Sequence, residues 1–405
     1  MNGLRNGCPS QSPQRLRVAI NALCELEPRL GAHVYLLSLA RELSGLPDVV
    51  VSLIVGNGQR GLLPDVLRGN AIEVPVRHNR SYWQILSQVQ IARTLRRKGI
   101  EIFHLPNTQP LLFRGAIKTV ITIHDLVDLR VRKYGAVRTA YRFLANLVAA
   151  HLADSIITVS ENSKRDIVSL LHVSAQKVHV IYQGADDIFR KMDHSGCYDY
   201  VKTKYGIDGG FILAPGGMAP NKNVERLLCS YTQALAMGLR CPLVLTGKGS
   251  EVEMRKVRKA IKRLGIESHV HLLGSIERPD LPILYNACAF VAYLSLYEGF
   301  GLPIVEAMSC GAPILASNSS SIPEIAGDAA LFVDPYSIDA LTDGLMRLAQ
   351  DGALRGTLRE KGTEQAKKYD WRLTARQTIE VYRSVVSKCS DTRSVLHSAE
   401  FNETA

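Results

Sequence analysis

The 405-residue sequence has no uninterrupted apolar run of membrane-spanning length. Its longest charge-free stretches, Leu281–Tyr297 and Ala307–Pro323, are 17 residues each and are broken by Pro282, Pro313 and several polar residues. A transmembrane helix needs ~20 continuous apolar residues. The opening MNGLRNGCPSQSPQR lacks an apolar segment of leader type, so export is not expected. CxxC pairs are missing too: the eight cysteines (Cys8, Cys24, Cys197, Cys229, Cys241, Cys288, Cys310, Cys389) are scattered. Most fall in segments that read as core, which predicts buried free thiols in a reducing cytosol. Aromatic residues are only 6% of the chain and no nucleic-acid recognition motif occurs, so nucleic acid is not an expected partner.

Several catalytic signatures are absent as well. No GxxxxGK[ST] phosphate loop is present, since Gly247-Lys248-Gly249 lacks the required flanking residues. Neither GxGxxG after the first apolar run, nor GxSxG, nor HExxH occurs. The one close histidine pair, His269 and His271, alternates along an expected strand, and no metal site is predicted.

What remains is an ordinary globular composition, 46% hydrophobic and 21% charged, in a chain long enough for roughly two or three domains of ~100–200 residues. Lys and Arg total 49 against 38 Asp and Glu, a net charge of +11. The excess is uneven: residues 1–190 hold 24 basic and 14 acidic residues, and the remainder 25 and 24. A basic half points to an anionic partner.

Short apolar runs alternate with amphipathic stretches. Strands are expected at Arg15–Ala22, Val49–Gly56, Glu101–Leu105, Thr119–His124, Ser155–Ser160 and Val178–Tyr182, with helices such as Val34–Leu43, Ser87–Arg97, Tyr134–Leu152 and Ser163–Leu171 between them. The pattern stops after Gln183. It resumes with strands at Phe211–Ala214, Pro242–Leu245, Val270–Leu273, Ala289–Leu294, Pro313–Ala316 and Leu331–Val333, and helices near Asn223–Leu235, Glu251–Leu264, Ile338–Leu348 and Arg372–Val386. Continuous Val/Ile/Leu runs between helices predict parallel sheets covered on both faces. The expected fold class is therefore α/β, with two doubly wound domains: 14–185 and 210–370, joined by an irregular linker at 186–209. A helix at 371–390 should follow, with loose tails at 1–13 and 391–405.

The stretch 296–313, LYEGFGLPIVEAMSCGAP, is the most informative. A glycine-rich turn leads into a helix expected at Ile304–Cys310, with Pro303 in its first turn and Gly311 beyond its end. The N–H groups of Gly301, Leu302 and Ile304 would then face an anion, and phosphate fits best. Glu298 and Glu306 bracket the turn. Carboxylates repel phosphate, so they suit hydrogen bonds from sugar and ribose hydroxyls. A second phosphate candidate is FILAPGGMAPNKN at 211–223, where a strand runs into Gly216-Gly217 and a loop bearing Lys222.

These segments resemble the retaining glycosyltransferases of family GT4 (glycosyltransferase group 1), with the GT-B fold of two Rossmann-like domains facing a central cleft. The spacing Glu298-x7-Glu306 within YEGFGLPIVEAMSCGAP is their most specific signature. VITIHDL (120–126), IITVSENSKRDI (156–167), ILAPGGMAPNKN (212–223), SSIPEIAGDAALFVDP (320–335) and WRLTARQTIEVYR (371–383) match in order, so the resemblance covers roughly residues 15–388.

The resemblance implies a role for individual residues. Glu298 would lie against the donor sugar and Glu306 would bind the ribose. The turn Gly299-Phe300-Gly301-Leu302 would hold diphosphate and sugar by its backbone. Lys222 matches the diphosphate-binding lysine, and His124 matches a histidine near the reacting sugar. Gly31 falls in the loop after the first strand, facing the phosphates, and Ile276 where the base is met. Gly217 stands where the family commonly carries Arg, which removes one of two expected cations. The closing helix would pack back toward the first domain.

Catalytic roles are thus expected for His124, Glu298 and Lys222. The implied reaction retains anomeric configuration and needs neither metal nor cofactor, only a nucleotide diphosphate sugar as co-substrate. The TIHDL segment resembles mannosyl-type members, which makes GDP-mannose the first donor to consider and UDP-sugars the next. The acceptor would be lipid-linked or a polysaccharide, in surface glycan or lipopolysaccharide assembly. Basic clusters at Arg93-Arg96-Arg97-Lys98 and Arg130-Arg132-Lys133-Arg138-Arg142 suit peripheral contact with an anionic inner membrane face. Other GT-B enzymes (a sugar-nucleotide epimerase, a glycogen-type synthase or phosphorylase), a basic nucleic-acid-binding protein and a catalytically weak scaffold remain as alternatives.

Overall fold

The computed structural model describes residues 15–23, 31–75, 81–107, 117–131 and 135–400. The uninterrupted apolar runs form strands. β1 (Leu16–Asn21), β2 (Val49–Gly56), β3 (Ile72–Val74), β4 (Ile102–Leu105), β5 (Lys118–Thr122), β6 (Ser155–Thr158) and β7 (Val178–Val180) make a seven-stranded sheet in the order β3-β2-β1-β4-β5-β6-β7. β8 (Ile212–Ala214), β9 (Leu243–Thr246), β10 (Val270–Gly274), β11 (Phe290–Tyr293), β12 (Ile314–Ser317) and β13 (Leu331–Val333) make a six-stranded sheet in the order β10-β9-β8-β11-β12-β13. The described pairings are parallel. β4, β6, β9, β11 and β12 are buried at every position, so their sequences show no polar–apolar alternation.

Period two nevertheless sorts the side chains between two cores. Leu213, Val291, Tyr293, Ile314 and Ala316 enter one cluster; Ile212, Ala214, Phe290, Ala292 and Leu315 enter the other. In each sheet the strand order reverses once, between β1 and β4 and between β8 and β11. Loops leaving the two strands at such a switch point diverge and leave a crevice past the strand ends.

The linker and the closing helix both differ from expectation. The linker at 186–209 contains a helix, His194–Tyr205. The Asp193 side chain caps it by accepting from the Gly196 N–H at 2.8 Å, and Gly206 closes it with φ of 68°. Only Cys197 and Val201 of this helix are buried, too few to print a helical period in the sequence. The closing helix runs from Trp371 to Glu400, past the expected end at 390. Residues 1–13 and 401–405 of the expected tails, together with Cys8, Cys24, Arg132 and Lys133, lie outside the described residues. Cys197, Cys288 and Cys310 are buried free thiols, and Cys229 and Cys241 are half-buried and also unpaired.

Contacts divide the described residues into two compact units. One comprises residues up to Ile121, Leu152–Ser155 and those from Ile379; the other comprises Thr122–His151 and Ile156–Thr378. In the first unit, buried Tyr382 of the closing helix shares a 2.6 Å hydrogen bond with His104 Nδ1 at β4. The second unit contains the whole six-stranded sheet. No described helix is long and apolar enough to cross a membrane.

Candidate active site

The site is built on the switch strands of the six-stranded sheet. β8 and β11 pair directly, Ile212 with Phe290 and Leu213 with Val291, so the loops that follow them emerge side by side. The β8 loop turns at Gly216 (φ 109°) and Gly217 (φ 90°), a region that favours glycine. It then forms a 3₁₀ turn, Pro220–Lys222, closed by Asn223. A Cβ on Gly216 would stand 3.1 Å from Lys222 Nζ, so the missing side chain clears the path along which the ammonium lies.

Gly217 has a different duty. Its N–H donates to the Thr246 carbonyl at 2.9 Å, and a Cβ there would overlap the Lys248 carbonyl oxygen. The place where the family commonly carries Arg is therefore spent on backbone packing against the loop after β9.

The β11 loop carries Glu298 and is tied to the β8 loop at several points. The Leu296 N–H donates to the Asn221 carbonyl at 2.7 Å. The Asn221 amide donates to the Tyr297 carbonyl at 3.1 Å and to Glu298 Oε1 at 3.4 Å. Lys222 Nζ donates to Glu298 Oε1 at 2.7 Å and to the Tyr293 hydroxyl at 3.3 Å. It also sits 5.2 Å above the Tyr293 ring. The lysine and glutamate side chains are only 16% and 13% exposed. Burial works to depress the Lys222 ammonium, but the Glu298 carboxylate and Tyr293 outweigh it and hold the pKa above its ordinary value. Burial, followed by Glu298, raises the Tyr293 hydroxyl.

Beyond Glu298, whose N–H donates to Ser320 Oγ at 2.9 Å, the turn is shaped by close approach. A Cβ on Gly299 would lie 2.7 Å from both Asp125 Cβ and the His124 carbonyl oxygen. Phe300 points inward, edge-to-face with Tyr369 at 5.7 Å, so only its backbone is available to a ligand. Gly301, with φ of 105°, caps the helix Leu302–Ser309. That helix starts earlier than Ile304–Cys310 because Pro303 fits its first turn. Gly311 beyond it has φ of 72°. One expected donor is already used: the Ile304 N–H bonds the Gly301 carbonyl at 2.8 Å. The N–H groups of Gly301 and Leu302 meet no acceptor among the described residues, and these are the helix-terminal donors an anion would find.

Glu306 is half-buried on this helix and accepts from the Tyr285 hydroxyl at 3.0 Å. Burial pushes its carboxyl up to about 7, against the opposing pull of Tyr285 and Arg278. His124 follows β5, and its Nδ1 is 3.1 Å from the Gln183 amide nitrogen. With that nitrogen donating, Nδ1 accepts and the ring proton resides on Nε2.

The second unit thus brings the Gly217–Lys222 loop against Glu298, with the turn Gly299-Phe300-Gly301 running on into the helix that carries Leu302 and Glu306, and with the His124 segment against Gly299. Ile276 is placed just past β10, half-buried against the same core. Gly31 belongs to the first unit and opens the helix Gly31–Ser44 rather than lying in a loop. Tyr293, Asn221, Tyr285 and Gln183, which hold the charged groups in place, carried no sequence signal, because each bonds a partner distant in the chain.

A lysine and a helix N-terminus at a switch point, flanked by two carboxylates, make a site for a diphosphate joined to hydroxyl-bearing groups. The profile of Glycosyl transferases group 1 matches residues 202–368, and that of Glycosyltransferase Family 4 matches residues 30–188. The chain is 33% identical over 287 residues to the O-antigen chain mannosyltransferase B of Escherichia coli, covering 70% of this chain and 74% of that protein. It is 28% identical over 280 residues to the serotype-specific mannosyltransferase WbdA of Escherichia coli, covering 68% of this chain but 34% of that protein, about a third of its length. The structure of sucrose-phosphate synthase from Thermosynechococcus elongatus superposes with a TM-score of 0.75 over 92% of this chain and all of that one, at 18% identity. That likeness shows the fold, GT-B.

The fold and family together define a glycosyltransferase of the hexosyltransferase class. The chain belongs to the group 1 glycosyltransferases of family GT4. Enzymes of this family use nucleotide-sugar donors.

Proposed function

We propose that the protein is a retaining mannosyltransferase that moves mannose from GDP-mannose to a lipid-linked or polysaccharide acceptor during surface glycan assembly. The observation that carries the donor-site reading is the Lys222–Glu298 pair at the β8/β11 switch, beside the N-terminus of Leu302–Ser309. The likeness to an O-antigen mannosyltransferase supports the sugar and the type of acceptor.

The bond between the anomeric carbon and the β-phosphate oxygen breaks as a bond to the acceptor oxygen forms. The β-phosphate takes the acceptor's proton, so no protein nucleophile is required. Negative charge grows on the leaving diphosphate, and Lys222 with the Gly301 and Leu302 N–H groups meets that charge with fixed dipoles. Glu298 faces the sugar hydroxyls, Glu306 the ribose, and the Nε2–H of His124 the reacting sugar.

The acceptor side rests on the basic half of the chain. On the helix Ala136–Leu152, Val137, Tyr141 and Leu144 are 87%, 47% and 58% exposed, spaced to share one helix face. Arg138 and Arg142 accompany them on the exposed surface, which suits contact with anionic headgroups.

Two experiments test these readings. Donor hydrolysis by the purified protein, screened over GDP-, UDP- and dTDP-sugars, should be fastest with GDP-mannose; preference for another donor overturns the mannose assignment. Flotation with anionic but not neutral liposomes is expected, and absence of binding at low salt removes the membrane contact.

A further inference from the structure

We propose that the first turns of the helix Glu161–Leu171 position the reacting groups: Ser163 and Asp166, acting through Arg130 and Tyr297, hold the His124 segment in register with the Glu298 turn. The proposal rests on the reading of His124 and Glu298 as the groups that face the sugar.

Three attachments carry it. Ser163 Oγ lies 2.9 Å from the His124 carbonyl oxygen and 3.2 Å from the Gly299 carbonyl oxygen. A hydroxyl has one proton, so the two carbonyls share a single donor and are kept within its reach of each other. Ser160 Oγ donates to the same Gly299 carbonyl at 2.6 Å while accepting from the Ser163 N–H at 3.0 Å. Both serines are fully buried, at 0% exposure.

The third attachment is Asp166, 7% exposed. One of its oxygens takes the Arg130 guanidinium and the other the Tyr297 hydroxyl. Arg130 belongs to the segment that follows His124, and Tyr297 immediately precedes Glu298. A single buried carboxylate therefore fastens both segments, and burial with Asp166 raises the Tyr297 hydroxyl well above its ordinary pKa, so it stays a donor.

Gly299 supplies the steric counterpart: any side chain there would strike Asp125 and the His124 carbonyl. At the start of the same helix, Glu324 accepts from the Glu161 and Asn162 N–H groups at 2.7 and 3.1 Å. Ser160, Ser163 and Asp166 are a polar choice for a buried helix end, where apolar residues would pack at lower desolvation cost. Apart from the Ser163 N–H that Ser160 accepts, the side-chain partners named above belong to the two segments that carry His124 and Glu298.

The test uses full-length Tyr297→Phe, Asp166→Asn and their double variant, with the sugar nucleotide that the wild type hydrolyses fastest. Tyr297→Phe removes one hydroxyl and leaves the Asp166–Arg130 pair, so folding should persist. A misregister of about 1 Å costs on the order of 100-fold in rate; kcat is expected to fall about 10-fold or more while donor KM and GDP affinity stay within about threefold. The double variant should be no slower than the slower single one, because both break the same link. Turnover within about threefold of wild type in both single variants overturns the proposal. So does a parallel loss of kcat, GDP affinity and melting temperature, the signature of a merely structural role. Lys222→Met, assayed alongside, separates the two levels: if it too retains wild-type turnover, the donor-site reading has failed rather than the positioning alone.

Discussion

Replacing Glu306 by Gln should stabilise the protein at alkaline pH and leave it nearly unchanged at acidic pH. In the folded state burial raises this carboxyl from 4.5 to about 7, while in the unfolded chain it titrates near its ordinary value. Between those limits the folded protein binds the proton more tightly, so stability falls as pH rises. At pH 8 the group is ionised in both states, and the rise from 4.5 to about 7 amounts to about 3 kcal/mol of destabilisation. Below pH 4.5 it is protonated in both states and the cost vanishes. Gln keeps the acceptor that Tyr285 bonds at 3.0 Å and removes the charge. Urea unfolding of wild type and Glu306→Gln, compared at each pH so that other titrations cancel, should show a gain of about 3 kcal/mol at pH 8 and under about 1 kcal/mol at pH 5. A pH-independent difference, or a loss at pH 8, refutes the reasoning. The same variant should bind GDP more weakly, since the carboxylate that strains the fold is the one assigned to the ribose.

Lys222→Met should cut sugar transfer by roughly 100-fold or more with circular dichroism unchanged, as expected for a lost electrostatic contact to the leaving group. Near-wild-type turnover removes Lys222 from the site. Glu298→Gln should slow transfer yet tighten GDP binding several-fold by freeing Lys222 from its internal counter-ion; weaker GDP binding contradicts that. Gly217→Ala should lower the free energy of unfolding by about 1–3 kcal/mol, because Gly217 has φ of 90° and no room beside the Lys248 carbonyl. By the same geometry Gly217→Arg should not raise activity, and an increase in turnover would show that the loop can rearrange.

The parts of this molecule legible in the sequence are those with local causes. Val49–Gly56 and Glu251–Leu264 form the elements expected of them, one from continuous β-branched residues and the other from a strong apolar period behind a Ser250–Glu253 capping box. The glycine turn and Pro303 likewise announced the start of the helix Leu302–Ser309. The three-residue strand Ile72–Val74 and the helix His194–Tyr205 were hidden, being too short or too polar to print a period. Hidden too was everything that depends on pairing across the chain. Nothing local to Tyr293 or Asn221 says that they hold Lys222 and Glu298, and Ile304 looked like a free donor until the Gly301 carbonyl was seen beneath it. The Gly217 departure was visible as a missing cation, whereas its cause lies in the loop after β9.

The pairing of Lys222 with Glu298 bears on how such a site can be both stable and receptive. A lone ammonium or carboxylate this deeply buried would carry a desolvation penalty of several kcal/mol; together, with Asn221 and Tyr293 satisfying further lone pairs and protons, the two compensate each other. On the proposed donor-site reading, an incoming diphosphate would replace Glu298 as the counter-ion of Lys222, and the released carboxylate would then need other donors. Asn221, at 3.4 Å, is a weak one, while sugar hydroxyls are strong. An intact sugar nucleotide would therefore settle both charges, whereas the nucleoside diphosphate left after transfer would settle only the lysine. If Lys222 and Glu298 bind donor as proposed, this ion pair should favour substrate over product, and the discrimination should disappear when residue 298 is neutral.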